Sequence, residues 1–267
     1  MIVVKTGGRV LKANVDNIVE DLVELWNKGE KAVLVHGGGD VVSEYSKRMG
    51  IEPQFVISPS GVRSRYTSKE ELEVYVMVMA GKINKELVSK LTAKGVKAVG
   101  ISGADGSTLL AERKEKIVVI DEKGKKRVIE GGYTGKIVSV NPSLLKMLLD
   151  NDYLAVVSPI AVTKDGTLLN VDADQAASKI AGALKASKLV ILSDVEGLIL
   201  EGSLVRHLKV EELNNVLSKV GAGMNRKLIH TAEALEAGVN EVLIASGLGE
   251  KPISRALRRE GCTVMTL

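Results

Sequence analysis

Aromatic side chains make up only 3% of this 267-residue chain, and cysteine occurs once. No apolar run approaches the ~18 residues that a membrane-spanning helix needs. The shortage of aromatics argues against stacking platforms for single-stranded nucleic acid. A net charge of +4, with its charges interspersed, does not suit a dedicated nucleic-acid protein either. The single Cys262 excludes an internal disulfide framework and a multi-cysteine zinc site, and within an apolar terminal strand it reads as a packed thiol. The first residues form a strand rather than a basic-then-apolar leader, so the expected setting is cytoplasmic.

Familiar catalytic signatures are missing as well. There is no Gly-x-x-x-x-Gly-Lys-Ser/Thr phosphate loop and no Gly-x-Gly-x-x-Gly after a strand. A serine elbow and a His-Glu-x-x-His pair are also absent. His36, His207 and His230 are scattered without metal-ligand spacing, so no protein-held metal is expected; His207 and His230 read as surface or helix-end residues.

What is present is an aliphatic chain, 45% apolar, in which short apolar runs alternate with amphipathic stretches of helical length. That pattern predicts an α/β protein with a mainly parallel sheet. Strands are expected near 1–5, 31–35, 96–101, 153–158, 188–193, 240–245 and 262–266, and helices near 14–28, 40–49, 68–94, 142–150, 173–186, 226–237 and 252–260. Capping-box spacings at Thr67…Glu70 and Ser68…Glu71 mark the start of the third helix. Gly29, Gly50, Gly95, Gly238 and Gly261 each follow a helical stretch, where a left-handed cap is wanted. Residues 54–66 read as a hairpin, and 107–138 as a more polar hairpin region turning at 122–125; Asp165-Gly166 and Glu201-Gly202 mark further turns. No linker interrupts the chain, which reads as one domain of two lobes meeting near residue 170.

Two glycine clusters follow apolar strands: Lys5-Thr6-Gly7-Gly8 and His36-Gly37-Gly38-Gly39. Removing Cβ atoms at strand ends lets backbone N–H groups converge on an anion, and Lys5 adds a positive charge. In Leu169-Asn170-Val171-Asp172-Ala173-Asp174-Gln175, either aspartate can cap the following alanine-rich helix. Alternatively, Asn170 binds a polar group of a substrate and Asp174 orients catalytic lysines. Ser193-Asp194-Val195-Glu196-Gly197 closes another strand, either as an ordinary exit or facing a nucleotide, since α/β sheets bind ligands at carboxyl ends of strands. Gly221-Ala222-Gly223-Met224-Asn225-Arg226-Lys227 reads as a glycine loop before a helix, with Lys227 in its first turn, either a solvated charge or a partner for Lys5 across a phosphoryl group. Two cations on a migrating phosphoryl group stabilise its transition state, and an ionised carboxylate needs no general base to attack it. These parts sketch ATP plus a carboxylate giving an acyl phosphate, with Mg²⁺ carried on the nucleotide.

Six motifs in order, at 5–8, 36–39, 61–63, 170–177, 193–197 and 223–227, resemble the amino-acid kinases of the acetylglutamate-kinase branch along essentially the whole chain. The resemblance implies an open αβα sandwich, with acyl substrate in the N-terminal lobe (about 1–170), ATP in the C-terminal lobe (about 171–267), and a homodimer. It makes Lys5 and Lys227 the transition-state cations and Asp174 their organiser. It puts Gly7 and Gly8 on the phosphate, and Ser193, Asp194 and Gly197 on the nucleotide side. Gly37, Gly38 and Gly39, Arg63 and Asn170 fall on the acyl substrate. Ser102-Gly103-Ala104-Asp105-Gly106 departs from the acetylglutamate-kinase pattern. Gly131-Gly132-Tyr133-Thr134-Gly135-Lys136 instead resembles a sister group that phosphorylates aminoadipate attached to an acidic amino-group carrier protein of the LysW type. In that group the segment is associated with carrier recognition, which implies such a role for Gly132, Tyr133, Thr134, Gly135 and Lys136. Glycines there let a partner's backbone approach, and the basic stretch 113–127 suits an acidic partner. The competing readings are an acetylglutamate kinase, a carbamate or uridylate kinase, and a non-catalytic nucleotide-binding regulator.

Overall fold

The first strand, β1 (Ile2–Thr6), is buried along its whole length. Its side chains alternate between two cores: Val3 packs on one face of the sheet, Ile2 and Val4 on the other. The computed structural model, which describes residues 1–267, continues through α1 (Gly8–Asn27), β2 (Ala32–His36), α2 (Gly39–Arg48), the hairpin β3 (Gln54–Ile57) and β4 (Arg63–Tyr66), α3 (Lys69–Val76), α4 (Asn84–Ala93) and β5 (Ala98–Ser102). Next come β6 (Leu109–Arg113), β7 (Lys116–Ile120), β8 (Lys126–Glu130), β9 (Gly135–Val140), α5 (Ser143–Asp150), β10 (Leu154–Ser158), β11 (Ile160–Val162), β12 (Leu168–Asn170) and α6 (Ala173–Leu184). The last third holds β13 (Lys188–Ser193), β14 (Ile199–Leu200), β15 (Ser203–Leu204), β16 (His207–Lys209), α7 (Leu213–Leu217), α8 (Ala222–Glu236), β17 (Glu241–Ser246), α9 (Pro252–Leu257) and β18 (Cys262–Thr266).

Eight strands form the central sheet in the order β16-β18-β17-β13-β1-β2-β10-β5. It is parallel except where β18 runs against β17. All seven strands expected from the sequence lie in it; the eighth, β16, is a three-residue edge strand too short to show periodicity. One core holds Val3, Val35, Val157 and Ile191 against α5, α6 and α8. The other holds Val4, Leu34, Val156 and Val190 against α1, α4 and α9. The result is an αβα sandwich. Strand β1 pairs with β13 in register, Lys5 opposite Ile191, so the sheet is continuous across residue 170.

Three helix boundaries differ from the sequence reading. Helix α1 starts at Gly8 rather than near 14, because Asn14 (φ −146°, ψ 28°) interrupts the periodicity. Its side-chain amide leaves the helix to donate to Gly247 and Gly249 carbonyls, each at 2.7 Å. Helix α8 starts at Ala222 rather than near 226, and α9 ends at Leu257. The stretch read as one helix from 68 to 94 contains a π-helical segment, Met77–Ile83, between α3 and α4. Ser68 caps α3, accepting from the Glu71 N–H. All five glycines expected to cap helices carry positive φ. The 107–138 region holds the expected hairpin, β7–β8, nested inside a second antiparallel pair, β6–β9. No helix is long and apolar enough to cross a membrane.

A buried carboxylate that sequence patterning did not reveal fastens α9 to α1. Asp21 is fully buried in α1; it accepts the N–H groups of Ile253 (2.6 Å) and Ser254 (2.8 Å), and the Ser254 hydroxyl donates to its other oxygen. It therefore supplies from a distant helix the cap that α9 lacks locally. Replacing Asp21 with Ala orphans two buried N–H groups and should cost about 2–3 kcal/mol of stability. A chemical-denaturation midpoint equal to that of the parent chain would contradict this role.

Candidate active site

Alternation along β1 carries Lys5 to the same face as Val3, beneath α6 and α8. Asp172 caps α6: its Oδ1 accepts from the N–H groups of Asp174 (2.8 Å) and Gln175 (3.1 Å). The capping reading is thus correct for Asp172, which leaves the Asp174 carboxylate free to point back at the sheet. Lys227 reaches the same point from α8. It sits in the second helical turn, because Gly221 is the cap and Gly223 already lies inside the helix; the expected glycine loop is absent.

The three side chains meet. Lys5 Nζ is 2.9 Å from Asp174 Oδ1, and Lys227 Nζ is 2.9 Å from Oδ2. Both lysines are 8% exposed. Burial alone would raise the Asp174 carboxyl, but Lys5 and Lys227 outweigh it and hold the group well below the usual carboxylate range. Burial and then the neighbouring Lys5 charge push the Lys227 ammonium down, against the pull of Asp174. Two ammoniums and one carboxylate leave an excess positive charge in a nearly dry place. At 4 Å and an effective dielectric of 20, a unit pair there is worth about 4 kcal/mol, so the cluster is built to receive an anion.

The position within the sheet agrees. The connection after β1 (α1) lies on one face, and α8, which leads into β17 beside β13, lies on the other. The carboxyl ends of β1 and β13 are therefore a topological switch point, where open α/β sheets bind ligands. The two glycine turns abut there. Gly7 and Gly8 need no left-handed φ; Gly8 lacks a side chain because a Cβ would lie 2.8 Å from Gly38 Cα. A Cβ on Gly38 would in turn lie 2.9 Å from Met79 Sδ in the π-helical segment. The Gly37 N–H is spent on the Thr6 carbonyl at 2.8 Å and is not free for a ligand. Gly8 and Gly39 open α1 and α2, so two helix N-termini face the same region.

A cleft of about 880 Å³ lies beside this point, bordered by Gly37, Gly38, Gly39, Arg63 and Asn170, with Asp172, Ala173, Gln175 and Arg226 on it while Lys5, Asp174 and Lys227 do not line it. The residues expected on the acyl substrate thus share one wall system. Gly7, Gly8, Ser193, Asp194 and Gly197 lie outside it. Ser193 ends β13 and Asp194 follows it, whereas Gly197 is buried, a Cβ there coming 2.6 Å from Thr263 Oγ1, so its glycine is a packing requirement. Arg63 stacks on Phe55, its guanidinium carbon 3.5 Å from the ring centre. Arg65 is consumed structurally, pairing with Glu71 and donating to the Gly39 carbonyl (2.7 Å) and Ser43 hydroxyl (2.6 Å).

The carrier-associated segment divides. Thr134, Gly135 and Lys136 border the cleft; Gly132 and Tyr133 face inward. Gly132 has φ +60°, and a Cβ on it would lie 2.5 Å from the Thr67 carbonyl oxygen. Tyr133 N–H donates to that oxygen at 2.7 Å, Asn170 N–H donates to the Tyr133 carbonyl at 2.9 Å, and the Asn170 amide donates to Thr67 Oγ1 at 2.9 Å. The Tyr133 ring packs on the core under Arg113. Gly132 thus accommodates the chain's own backbone, and Gly135 the side chains of Leu169 and Ala111.

Of the three histidines, His230 borders the cleft. Burial pushes His36 down to about 4, against its contact with the Gly37 carbonyl, so it is neutral at pH 7. His230 lies buried in α8 rather than at a surface or helix end, with Nδ1 3.7 Å from Glu233 Oε2. His207 is exposed on β16.

The amino acid kinase family sequence profile matches residues 1–246. The chain belongs to the amino acid kinase family. It is 53% identical over 266 residues to the LysW-aminoadipate/LysW-glutamate kinase of Saccharolobus islandicus, covering 99% of both chains. It is 51% identical over 265 residues to the enzyme of that name from Metallosphaera sedula, covering 99% of this chain and 100% of that one. Among solved structures, Giardia lamblia carbamate kinase bound to AMP-PNP matches with a TM-score of 0.72 at 17% identity, over 99% and 98% of the two chains. N-acetylglutamate synthase from Neisseria gonorrhoeae gives 0.82 at 23% identity, over all of this chain and 59% of that one. These structural likenesses confirm the amino acid kinase fold.

One residue of the site in this family member escaped the sequence reading. Arg9, in the first turn of α1, pairs with Asp194 beyond β13 (Nη1 to Oδ2, 2.7 Å) and reaches Asp40 in α2 (Nε to Oδ2, 4.0 Å). It straps the ends of three adjacent strands, but a lone exposed arginine carries no sequence signal.

Asp174→Asn tests the triad. It removes the charge that opposes the downward push of Lys5 on the Lys227 ammonium, so the alkaline limb of the kcat–pH profile should move to lower pH by roughly one unit or more. Turnover at neutral pH should fall by about 10²-fold or more. An unmoved alkaline limb would contradict Asp174 as the shared counter-ion.

Proposed function

We propose that this chain is an ATP-dependent kinase that phosphorylates the side-chain carboxylate of 2-aminoadipate bound to a small acidic amino-group carrier protein, and of carrier-bound glutamate. The product is an acyl phosphate, and the setting is lysine and arginine biosynthesis. The observation that carries the chemistry is the pair of buried ammonium groups on one carboxylate at the switch point. The carrier-linked substrate is supported by the 51–53% full-length likeness to kinases of that name.

The substrate carboxylate attacks the γ-phosphorus, a new P–O bond forms, and the bond to the bridging oxygen of ADP breaks; no proton moves. Lys5 and Lys227 face the charge that develops on the equatorial oxygens. Asp174 stays ionised, orients both lysines and takes no proton. Gly7 and Gly8 approach the phosphates, Ser193 and Asp194 lie on the nucleotide side, and Gly38, Gly39, Arg63 and Asn170 receive the acyl group. Mg²⁺ carried on the nucleotide's phosphates would neutralise part of their charge there. A homodimer and a cytoplasmic setting belong to the same reading.

The test is a hydroxamate assay for acyl phosphate with carrier-linked aminoadipate, carrier-linked glutamate and free N-acetylglutamate in parallel. The carrier-linked substrates should react, and Lys5→Ala and Lys227→Ala should each cut turnover by about 10²–10³-fold while remaining folded. Turnover of free N-acetylglutamate alone would make the chain an acetylglutamate kinase. Silence with all three would leave a nucleotide-binding regulator.

A further inference from the structure

Two consecutive residues hold the second glycine turn in place. Ile83 closes the π-helical segment, and a Cβ on Gly38 would lie 2.1 Å from its Cδ1. Asn84, next in the chain and first in α4, is fully buried and reaches across three strands of the central sheet. Its side-chain amide donates to the carbonyls of Val156 on β10 (3.0 Å) and Ile101 on β5 (3.3 Å), and lies 3.4 Å from Nε2 of His36 at the end of β2. The Lys85 ammonium donates to Asn84 Oδ1 at 3.1 Å, which decides the way the amide points. A Cβ on Gly100 would lie 1.9 Å from that oxygen, so β5 is kept bare to admit it.

This network fixes the proton of a buried histidine. His36 has no exposed surface, and burial keeps it neutral at pH 7. An amide N–H facing Nε2 requires a lone pair there, so the ring proton sits on Nδ1, which donates to the Gly37 carbonyl at 3.3 Å. The Gly37–Gly38 peptide is trans, so its N–H points opposite to its carbonyl. With the carbonyl turned to the imidazole, the Gly38 N–H is turned away from it, and no acceptor in the protein takes it. Gly38 borders the cleft on one side and abuts Gly8 on the other. A peptide between two glycines rotates readily, because neither neighbour has a Cβ to oppose it. Flipped, it would present a carbonyl oxygen where an anion is to be bound.

We propose that His36 is a positioning residue: it holds the Gly37 carbonyl and so keeps the Gly38 N–H aimed at the junction of the acyl carboxylate and the phosphoryl group passing to it. This rests on the kinase reading above and deepens it. The imidazole touches neither substrate nor nucleotide and exchanges no proton; it acts through the peptide. An apolar side chain could fill the same space, but it would leave the peptide free to turn. A donor held in advance toward charge in transit lowers the barrier rather than tightening ground-state binding.

Substitutions at His36 and one spectrum test this. Asparagine places an amide nitrogen where Nδ1 stands and keeps the donor, glutamine offers its amide only at the position of Nε2, and leucine offers none. With carrier-linked aminoadipate, His36→Leu and His36→Gln should each lower kcat by about 10–100-fold, while KM for ATP and for the acyl substrate stays within about threefold. His36→Asn should keep kcat within about fivefold of the parent value. No loss in His36→Leu, or equal losses in all three variants, overturns the role. Long-range ¹H–¹⁵N correlations on the parent protein need no variant to fold. At pH 7 His36 should carry its proton on Nδ1 with Nε2 bare, and the opposite tautomer overturns the proposal. Acyl phosphate formed by the parent chain, with an undiminished kcat in His36→Leu, removes only the positioning role. No acyl phosphate from the parent chain removes the kinase reading, and the role with it.

Discussion

One carboxylate joins the two lysines on which the proposed chemistry rests. Asp174 holds two ammonium groups that would otherwise repel each other in a site with little water. Three separate sequence regions must converge for that contact to exist. Strand β1 contributes Lys5 by alternation, the cap at Asp172 turns Asp174 toward the sheet, and the packing of α8 against α6 delivers Lys227. Without the anion, burying both cations would be unfavourable; with it, each has a carboxylate oxygen at 2.9 Å, and two cations still share one carboxylate.

Around that contact the backbone is arranged for proximity. The turns after β1 and β2 touch through Gly8 and Gly38, and the π-helical segment lies tightly beneath Gly38. This brings two helix N-termini to the carboxyl edge of the sheet while leaving the large cleft on one side and the end of β13 on the other. The acyl and nucleotide roles proposed for the two sides follow from this division. Arg9 spans the boundary, tying α1 to the end of β13 and leaning toward α2.

Much of the fold was legible because buried parallel strands appear as short aliphatic runs, and glycine after five of the helices marks their ends. Features set by distant contacts were not legible. The early start of α1 was hidden by Asn14, whose amide binds carbonyls more than 230 residues away, and Asp21 looks like any polar helix residue until α9 is placed over it. The candidate triad was visible only as three separate motifs; its meeting point is a property of packing. Glycine was the least transparent residue. Gly132 and Gly197 looked like openings for a ligand or partner, yet each accommodates the chain's own atoms.

The most direct test of the central claim is a crystal structure with ADP, Mg²⁺, an aluminium fluoride and the acyl substrate. Both Lys5 Nζ and Lys227 Nζ should lie within about 3 Å of the fluoroaluminate, the hydrogen-bonding distance for charged nitrogen donors, with Asp174 still between them. A fluoroaluminate contacted by one lysine, with the other turned into a separate cavity, would contradict it.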